Sequence, residues 1–205
     1  MIKVTLTNEI LKYITEIEQN RYKVSSIKLS QTVMNKLRKN SKKKSTYASN
    51  KIEGNPLSEK QVDEVIENDE RKHYLKPEQE VRTYFLALNF LEKKITKKET
   101  FSKKLILDVQ KLVEKGASKE KIGFRGPMPP GVLFAVYDSK TGRPDYIPPE
   151  YCDIPNLLDE LVTYVNTTDD HPLIVAAVVH YQLVTIHPFE DGNVTNWTLE
   201  KNKAT

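Results

Sequence analysis

The stretch His187-Pro188-Phe189-Glu190-Asp191-Gly192-Asn193 decides how this chain is interpreted. His187 can accept a proton near neutral pH, and the Asp191 carboxylate is a ligand type that Mg²⁺ prefers. Gly192 and Asn193 tolerate positive φ, so their backbone N–H groups can form an anion-binding nest. These groups are the ones needed to transfer a phosphoryl or nucleotidyl group to a hydroxyl.

Three segments of the chain resemble the Fic (Fic/Doc) family. Residues 187–193 match the first seven positions of the family motif His-x-Phe-x-[Asp/Glu]-Gly-Asn-Gly-Arg-x-x-Arg, and the apolar run 172–181 resembles the family's approach to it. Residues 49–55, Ser-Asn-Lys-Ile-Glu-Gly-Asn, resemble the [Ser/Thr]-x-x-x-Glu-[Gly/Asn] motif of an inhibitory helix that precedes the catalytic core. Residues 146–158 resemble the stretch after the family's flap hairpin, so the resemblance covers roughly residues 40–193.

The resemblance implies a mainly α fold, with a Fic-type helical core and a short β-hairpin flap. We expect residues 1–80 to form an N-terminal helical region, with the inhibitory helix at about 30–53, and residues 81–205 to form a Fic core whose C-terminal part is missing. Apolar stripes at helical spacing independently favour helices. Gly54 is expected to end the second helix, and Ser58 with Gln61 forms a capping-box pattern at the start of the third. The expected helices lie at about 8–19, 30–52, from 58 onward, 78–94, 101–115, 154–166 and 172–185, and the expected hairpin lies between about 132 and 147.

The same resemblance implies roles for the motif residues. His187 takes the proton from a Ser, Thr or Tyr hydroxyl of a protein substrate as that hydroxyl attacks the α-phosphorus of ATP. Asp191 holds Mg²⁺ on the phosphates, while Asn193 and the Gly192 backbone cradle them. The implied activity is that of a protein adenylyltransferase, or AMPylator.

The chain departs from the family motif directly after Asn193. Val194-Thr195-Asn196-Trp197-Thr198 stands where the family has Gly-Arg-x-x-Arg, so both arginines are absent. In the family these arginines bind the nucleotide's phosphates, and we therefore expect the transferase to be impaired. Codons for residues 195–199, read one base later, can encode Arg-Ile-Gly-Arg, so we hypothesise a one-base insertion after Asn193.

The upstream motif implies autoinhibition. In the family the glutamate of the motif, here Glu53 with Ser49 before it, pairs with the final arginine and blocks the seating of the γ-phosphate. Thr198 occupies that arginine's position in this chain, so Glu53 should have no arginine with which to pair. Glu53 is also compatible with orienting a water molecule, as in relatives that remove AMP.

Two other functions remain alternatives. The first is a non-catalytic module that binds a partner protein or is regulated by an antitoxin. The second is a phosphoryl transferase of the Doc type, which ranks last because Val194 stands where that variant usually has Lys. A zinc site built from His171, His180 and His187 is disfavoured by the lack of a recognised zinc motif.

Composition points to an ordinary cytoplasmic protein. The single cysteine, Cys152, fits a reducing compartment. The longest apolar run is too short to span a bilayer, and we expect no membrane association. The net charge is +4, and the basic cluster at 36–44 is better explained as a solvated helix face than as a nucleic-acid patch. The composition leaves a homo-oligomer open.

Overall fold

The computed structural model describes residues 2–52, 54–68, 73–115, 122–137, 141–190 and 193. Over these residues the chain is mainly helical, with one short antiparallel hairpin, and this confirms the expected fold class. The helices are α1 (Asn8–Ser25), α2 (Gln31–Ile52), α3 (Glu59–Glu67), α4 (Lys76–Thr96), α5 (Lys103–Val113), α6 (Ile154–Thr167) and α7 (Pro172–Ile186), and the strands are β1 (Val136–Tyr137) and β2 (Pro144–Tyr146). No helix in the described part of the chain is long and apolar enough to cross a membrane.

Helix α2 ends at a glycine turn, as its sequence predicts. Gly54 adopts a φ of +86°, and its N–H donates to the Lys51 carbonyl at 3.1 Å. The Asn55 N–H reaches back to the Asn50 carbonyl at 3.0 Å, which closes a backbone cap of the Schellman type. The Asn55 side chain then donates to the Pro77 carbonyl at 3.0 Å. The end of α2 is thus attached to the start of α4.

Helix α3 begins at the predicted capping box. The Ser58 hydroxyl accepts from the Gln61 N–H at 3.4 Å, and the Gln61 side chain accepts from the Ser58 N–H at 2.9 Å. The buried valines of α3 pack with Val81 of α4 in a small cluster. Because α4 runs without a break through residue 80, one helix joins the N-terminal helices to the rest of the fold.

The main hydrophobic core lies between α4, α5, α6 and α7. Its buried members share an apolar face directed away from solvent and are Tyr84, Ala87, Leu88, Leu91, Phe101, Leu105, Ile106, Val109, Ile154, Leu158, Leu161, Val179, Leu183, Ile186 and Phe189. Phe189 lies beyond the end of α7 and is fully buried. The loop that carries the motif is therefore fixed to the core through this ring.

Helix α1 differs from the other helices because none of its residues is buried. Its apolar stripe predicts the helix, but the structure leaves Leu11, Tyr13 and Ile17 about half exposed. The helix also continues to Ser25, six residues beyond the predicted end at 19. The periodicity of its apolar residues thus predicted this helix but did not predict that its apolar side is exposed to solvent.

Candidate functional site

The site is built where α7 ends. The His187 N–H still donates to the Leu183 carbonyl at 3.0 Å, as in a continuing helix. The backbone of His187 then takes a left-handed conformation, with φ 48° and ψ 59°. A left-handed backbone costs a residue other than glycine roughly 1–2 kcal/mol, so other contacts must hold this one in place.

Arg125 supplies these contacts from a distant part of the chain. Its Nε donates to the His187 carbonyl at 2.8 Å, across 62 residues of sequence. Its Nη2 donates to the Ile186 carbonyl at 3.4 Å and to the Pro149 carbonyl. The last carbonyls of α7 are thus bonded to a fixed cation, which suits the negative end of the helix dipole.

The backbone around Arg125 is equally well fixed. Its own N–H donates to the Pro188 carbonyl at 2.8 Å. Next to it, Phe124 forms an antiparallel bridge with Phe189, and the two rings stack at 5.5 Å between centroids. One residue earlier, the Gly123 N–H donates to the buried Gln110 side chain of α5 at 3.2 Å. Residues 123–125 therefore form a short extended segment that joins α5 to the motif loop.

The imidazole of His187 is partly buried, and burial lowers its pKa below the ordinary value. A hydrogen bond to the Val184 backbone raises the pKa, and the positive charge of Arg125 lowers it. The net shift is downward, so more of this histidine is neutral at pH 7 than of an exposed one. A neutral imidazole is the form that can accept a proton.

The hairpin lies beside His187. The strands pair in antiparallel register, with Val136 opposite Tyr146. The Tyr146 hydroxyl donates to the Thr185 carbonyl at 2.8 Å, which attaches β2 to the last turn of α7. The Phe134 ring lies 5.9 Å from the His187 ring, centroid to centroid. The strands are shorter than the predicted span of 132–147, because residues before 136 form no ladder.

Asn193 is buried and engages the loop itself. Its Oδ1 accepts from the Phe189 N–H at 3.0 Å, and its Nδ2 donates to the Phe189 carbonyl at 2.7 Å. These two bonds attach the Asn193 side chain to the backbone of Phe189, four residues earlier. Asp191 and Gly192, the predicted metal and phosphate ligands, lie outside the described residues.

Ser49 of the expected inhibitory helix is buried against α4. Its hydroxyl accepts from the Tyr84 hydroxyl at 2.7 Å. Tyr84 is fully buried in the same core as Phe189, so the end of α2 and the motif loop are attached to one core. Glu53, the expected inhibitory residue, lies outside the described residues.

The other histidines of this region serve different roles. His171 caps the start of α7, where its Nδ1 accepts from the Leu173 N–H at 3.3 Å. Its Nε2 lies 3.2 Å from a Glu18 carboxylate oxygen of α1. His180 is partly buried in the middle of α7. Within the described ranges, no three His, Cys, Asp or Glu side chains cluster as metal ligands would, and Asp191 is not among those searched.

Sequence reasoning missed Arg125. Its contacts are to backbone carbonyls far along the chain, and such partners leave no local pattern.

Comparison with known proteins finds similarity to Fic proteins. The model of the Fic/DOC family matches residues 100–195. Protein adenylyltransferase Fic of Drosophila grimshawi is 25% identical over 187 residues, and the corresponding protein of Aedes aegypti is 25% identical over 190 residues. These matches cover 88% and 89% of this chain but 36% of each relative, so the chain spans about a third of their length.

Solved structures show the same fold. A Fic family protein from Desulfovibrio desulfuricans superposes with a TM-score of 0.79 at 24% identity, over 100% of this chain and 59% of that one. A Fic-domain-containing signaling protein from Bacteroides thetaiotaomicron gives 0.78 at 22% identity, over 92% and 71% of the two chains. The Fic/DOC family model thus matches residues 100–195, and the described part of the chain has the fold of these Fic proteins.

Proposed function

We propose that this chain is a protein adenylyltransferase of the Fic type, with His187 as the base and with activity limited by its missing arginines. The observation that carries the proposal is the position of His187. It lies at the end of a core helix, with its pKa lowered and the hairpin beside it. Similarity to named adenylyltransferases supports the reaction class.

Under this proposal, a hydroxyl of a protein substrate lies between the hairpin and the imidazole. Neutral His187 accepts the hydroxyl proton, the oxygen attacks the α-phosphorus of ATP, and pyrophosphate leaves. Asp191 would hold Mg²⁺, whose chemistry is to neutralise phosphate charge, and a carboxylate is a fitting donor for that ion. The Asn193 side chain supports the loop through Phe189.

The proposal also covers how the substrate is held. An exposed hairpin edge can align an extended peptide by adding it as a further strand. Tyr137 of β1 is exposed, and this strand pairs with β2. The protein substrate would then be selected mainly through its backbone and its hydroxyl side chain.

Nucleotide affinity should be low. Charge-assisted contacts to phosphate are each worth about 1.5–3 kcal/mol, and two of them are lost at positions 195 and 198. A loss of that size lowers affinity or rate by about two decades or more. Calorimetric binding of ATP at micromolar or tighter affinity would contradict this.

The test is incubation with labelled ATP and Mg²⁺. The variant Val194→Gly, Thr195→Arg, Thr198→Arg, which restores the motif, should transfer much more AMP than the chain as given. Adding His187→Ala to that variant should abolish the transfer. If the restored variant transfers no AMP to itself or to proteins of a lysate, the proposal is wrong and a non-catalytic binding module becomes the better interpretation.

We also propose that α2 and Glu53 form an autoinhibitory element whose partner is absent here, with residues 1–80 acting as the regulatory region. Glu53→Gly should change activity little in the unaltered chain, because Thr198 stands where the arginine held by the glutamate would be. In the restored variant the same substitution should raise AMP transfer markedly. The deciding quantity is the coupling between Glu53→Gly and Thr198→Arg, measured in a double-mutant cycle. Strong activation by Glu53→Gly in the unaltered chain would refute this account.

A further inference from the structure

Arg125 is a buried cation, only 6% exposed. Burial lowers the pKa of its guanidinium, although an arginine remains charged in proteins at ordinary pH. Burying such a group costs free energy unless its N–H groups are satisfied. Here they are directed at backbone carbonyls, and two of these belong to the last residue of α7 and to His187.

The guanidinium is also fixed from its other side. Its carbon lies 4.6 Å from the centroid of the Phe134 ring, a cation–π contact. The same Phe134 ring lies 5.9 Å from the His187 ring. Arg125 thus contacts the carbonyl of the histidine and packs on the ring that flanks its imidazole. It also lines a cavity of about 260 Å³ formed with residues 126–134 and 148–151.

We propose that Arg125 is a positioning residue that sets the orientation of the His187 side chain. A bond from Nε to the His187 carbonyl fixes the peptide plane after the histidine, which determines its left-handed ψ. The direction of the Cα–Cβ bond follows from that backbone, so the imidazole is turned toward Phe134 and the hairpin. Arg125 touches no reacting atom and acts only through the backbone and Phe134.

The planar guanidinium is needed for this task. Three carbonyls lie around it, those of His187, Ile186 and Pro149. The N–H donors of a guanidinium have a rigid, planar arrangement that can reach several carbonyls at once. A lysine ammonium would bring the charge but is a point donor on a flexible stem. Lysine should therefore hold the carbonyls less firmly and leave the histidine in more than one orientation.

A competing explanation is that Arg125 stabilises the whole fold without any specific effect on His187. The chain contains four histidines, which provide the means to distinguish the two. His180 lies on the same helix as His187, His171 caps the start of that helix, and His73 is exposed. A specific effect changes His187 alone, whereas a general effect changes His171 and His180 as well.

The experiment is NMR of the full chain with ring-labelled histidine, with the four signals assigned through single His→Gln variants. In Arg125→Gln the His187 ring signals should move toward those of exposed His73 and lose the ring-current shift from Phe134. The His171 and His180 signals should stay where they are. Arg125→Lys should give an intermediate shift or a broadened His187 signal. Arg143→Gln, at an exposed arginine beside β2, is the matched control and should change none of the four.

The outcomes decide the proposal in either direction. Unchanged His187 signals in a folded Arg125→Gln protein would overturn it, and so would equal shifts of His171, His180 and His187. If Arg125→Gln does not fold, Arg125→Lys decides by the same criteria. The proposal rests on the proposed function only in calling His187 a base. The experiment uses no nucleotide, so a failure of AMP transfer would refute the function without bearing on this result.

Discussion

Helices α2 and α7 both end in a left-handed residue, but different contacts hold the two ends in place. At the end of α2 the residue is Gly54, and backbone bonds within the same turn close the cap. At the end of α7 the residue is His187, and the bond to its carbonyl comes from Arg125, 62 residues away. The first turn is made from local sequence at low cost, and the second is imposed by the tertiary structure.

The two turns differ in how much their left-handed backbone destabilises the fold. A glycine loses little in the left-handed region, whereas a histidine there is strained by roughly 1–2 kcal/mol. Strain of this kind persists only where surrounding contacts fix the residue, and it is enriched at functional sites. The α7 turn therefore keeps an imidazole where glycine would be the more stable choice.

The largest expected effect concerns the loop beyond His187. Asn193→Ala removes both partners of the Phe189 backbone in a buried place, so the free energy of unfolding should fall by about 2 kcal/mol. Chemical denaturation followed by circular dichroism measures it. Asn193→Asp keeps an acceptor for the N–H but not the donor, and should also destabilise the chain. A loss below about 0.5 kcal/mol for Asn193→Ala would show that this turn does not depend on the side chain.

A smaller effect is expected at the end of α2. Ser49→Ala removes the acceptor of the buried Tyr84 hydroxyl, which should cost about 1–2 kcal/mol. Tyr84→Phe removes the donor instead, and the double variant should cost less than the sum of the two. Additive losses in this cycle would mean that the two hydroxyls do not depend on each other.

The comparison between the two turns can itself be tested by matched glycine and alanine substitutions. At position 187, Gly should give a more stable protein than Ala by about 1 kcal/mol, because only alanine pays for the left-handed backbone. At position 54, Gly54→Ala should cost a similar amount, since its added Cβ meets no atom within 4 Å and only backbone strain remains. Equal stability of His187→Gly and His187→Ala would show that the loop relaxes out of this conformation.

The smallest effect should be a pH dependence of stability. Burial lowers the pKa of His187 from an ordinary 6.5, so below that pH the unfolded chain binds more protons than the folded one at this residue. The contribution of His187 is complete above about pH 6.5 and is lost as the pH falls through the folded pKa. Denaturation at several pH values should show a loss that is absent in His187→Gln and retained in the control His73→Gln. If His187→Gln and the unaltered protein show the same pH dependence of the free energy of unfolding, this contradicts the lowered pKa of His187.

Local sequence predicted much of this fold. Local signals include the capping pair Ser58 and Gln61, the helix end at Gly54, and the apolar stripes of α4, α5 and α6. Each acts within a few residues, so its pattern can be recognised in the chain itself. The hairpin was also located, because turn residues separate two short extended runs.

The contacts of Arg125 and of Asn193 were not predicted from the sequence. Arg125 contacts carbonyls, and any residue supplies a carbonyl, so no residue type marks its partners. The hydrogen bonds of the Asn193 side chain to the Phe189 backbone were not predicted either, and its contact with phosphate stays a prediction. The contacts of Arg125 follow from how the chain folds back on itself, whereas those of Asn193 span only four residues of sequence.

The contact between Arg125 and His187 also bears on the order in which the molecule assembles. Helices α6 and α7 are neighbours in sequence and pack together, so they can associate early, whereas the arginine contact must wait for a long loop to close. We expect substitutions at Arg125 to speed unfolding while leaving the folding rate nearly unchanged. During unfolding, His187 would then lose its orientation while α6 and α7 are still packed together.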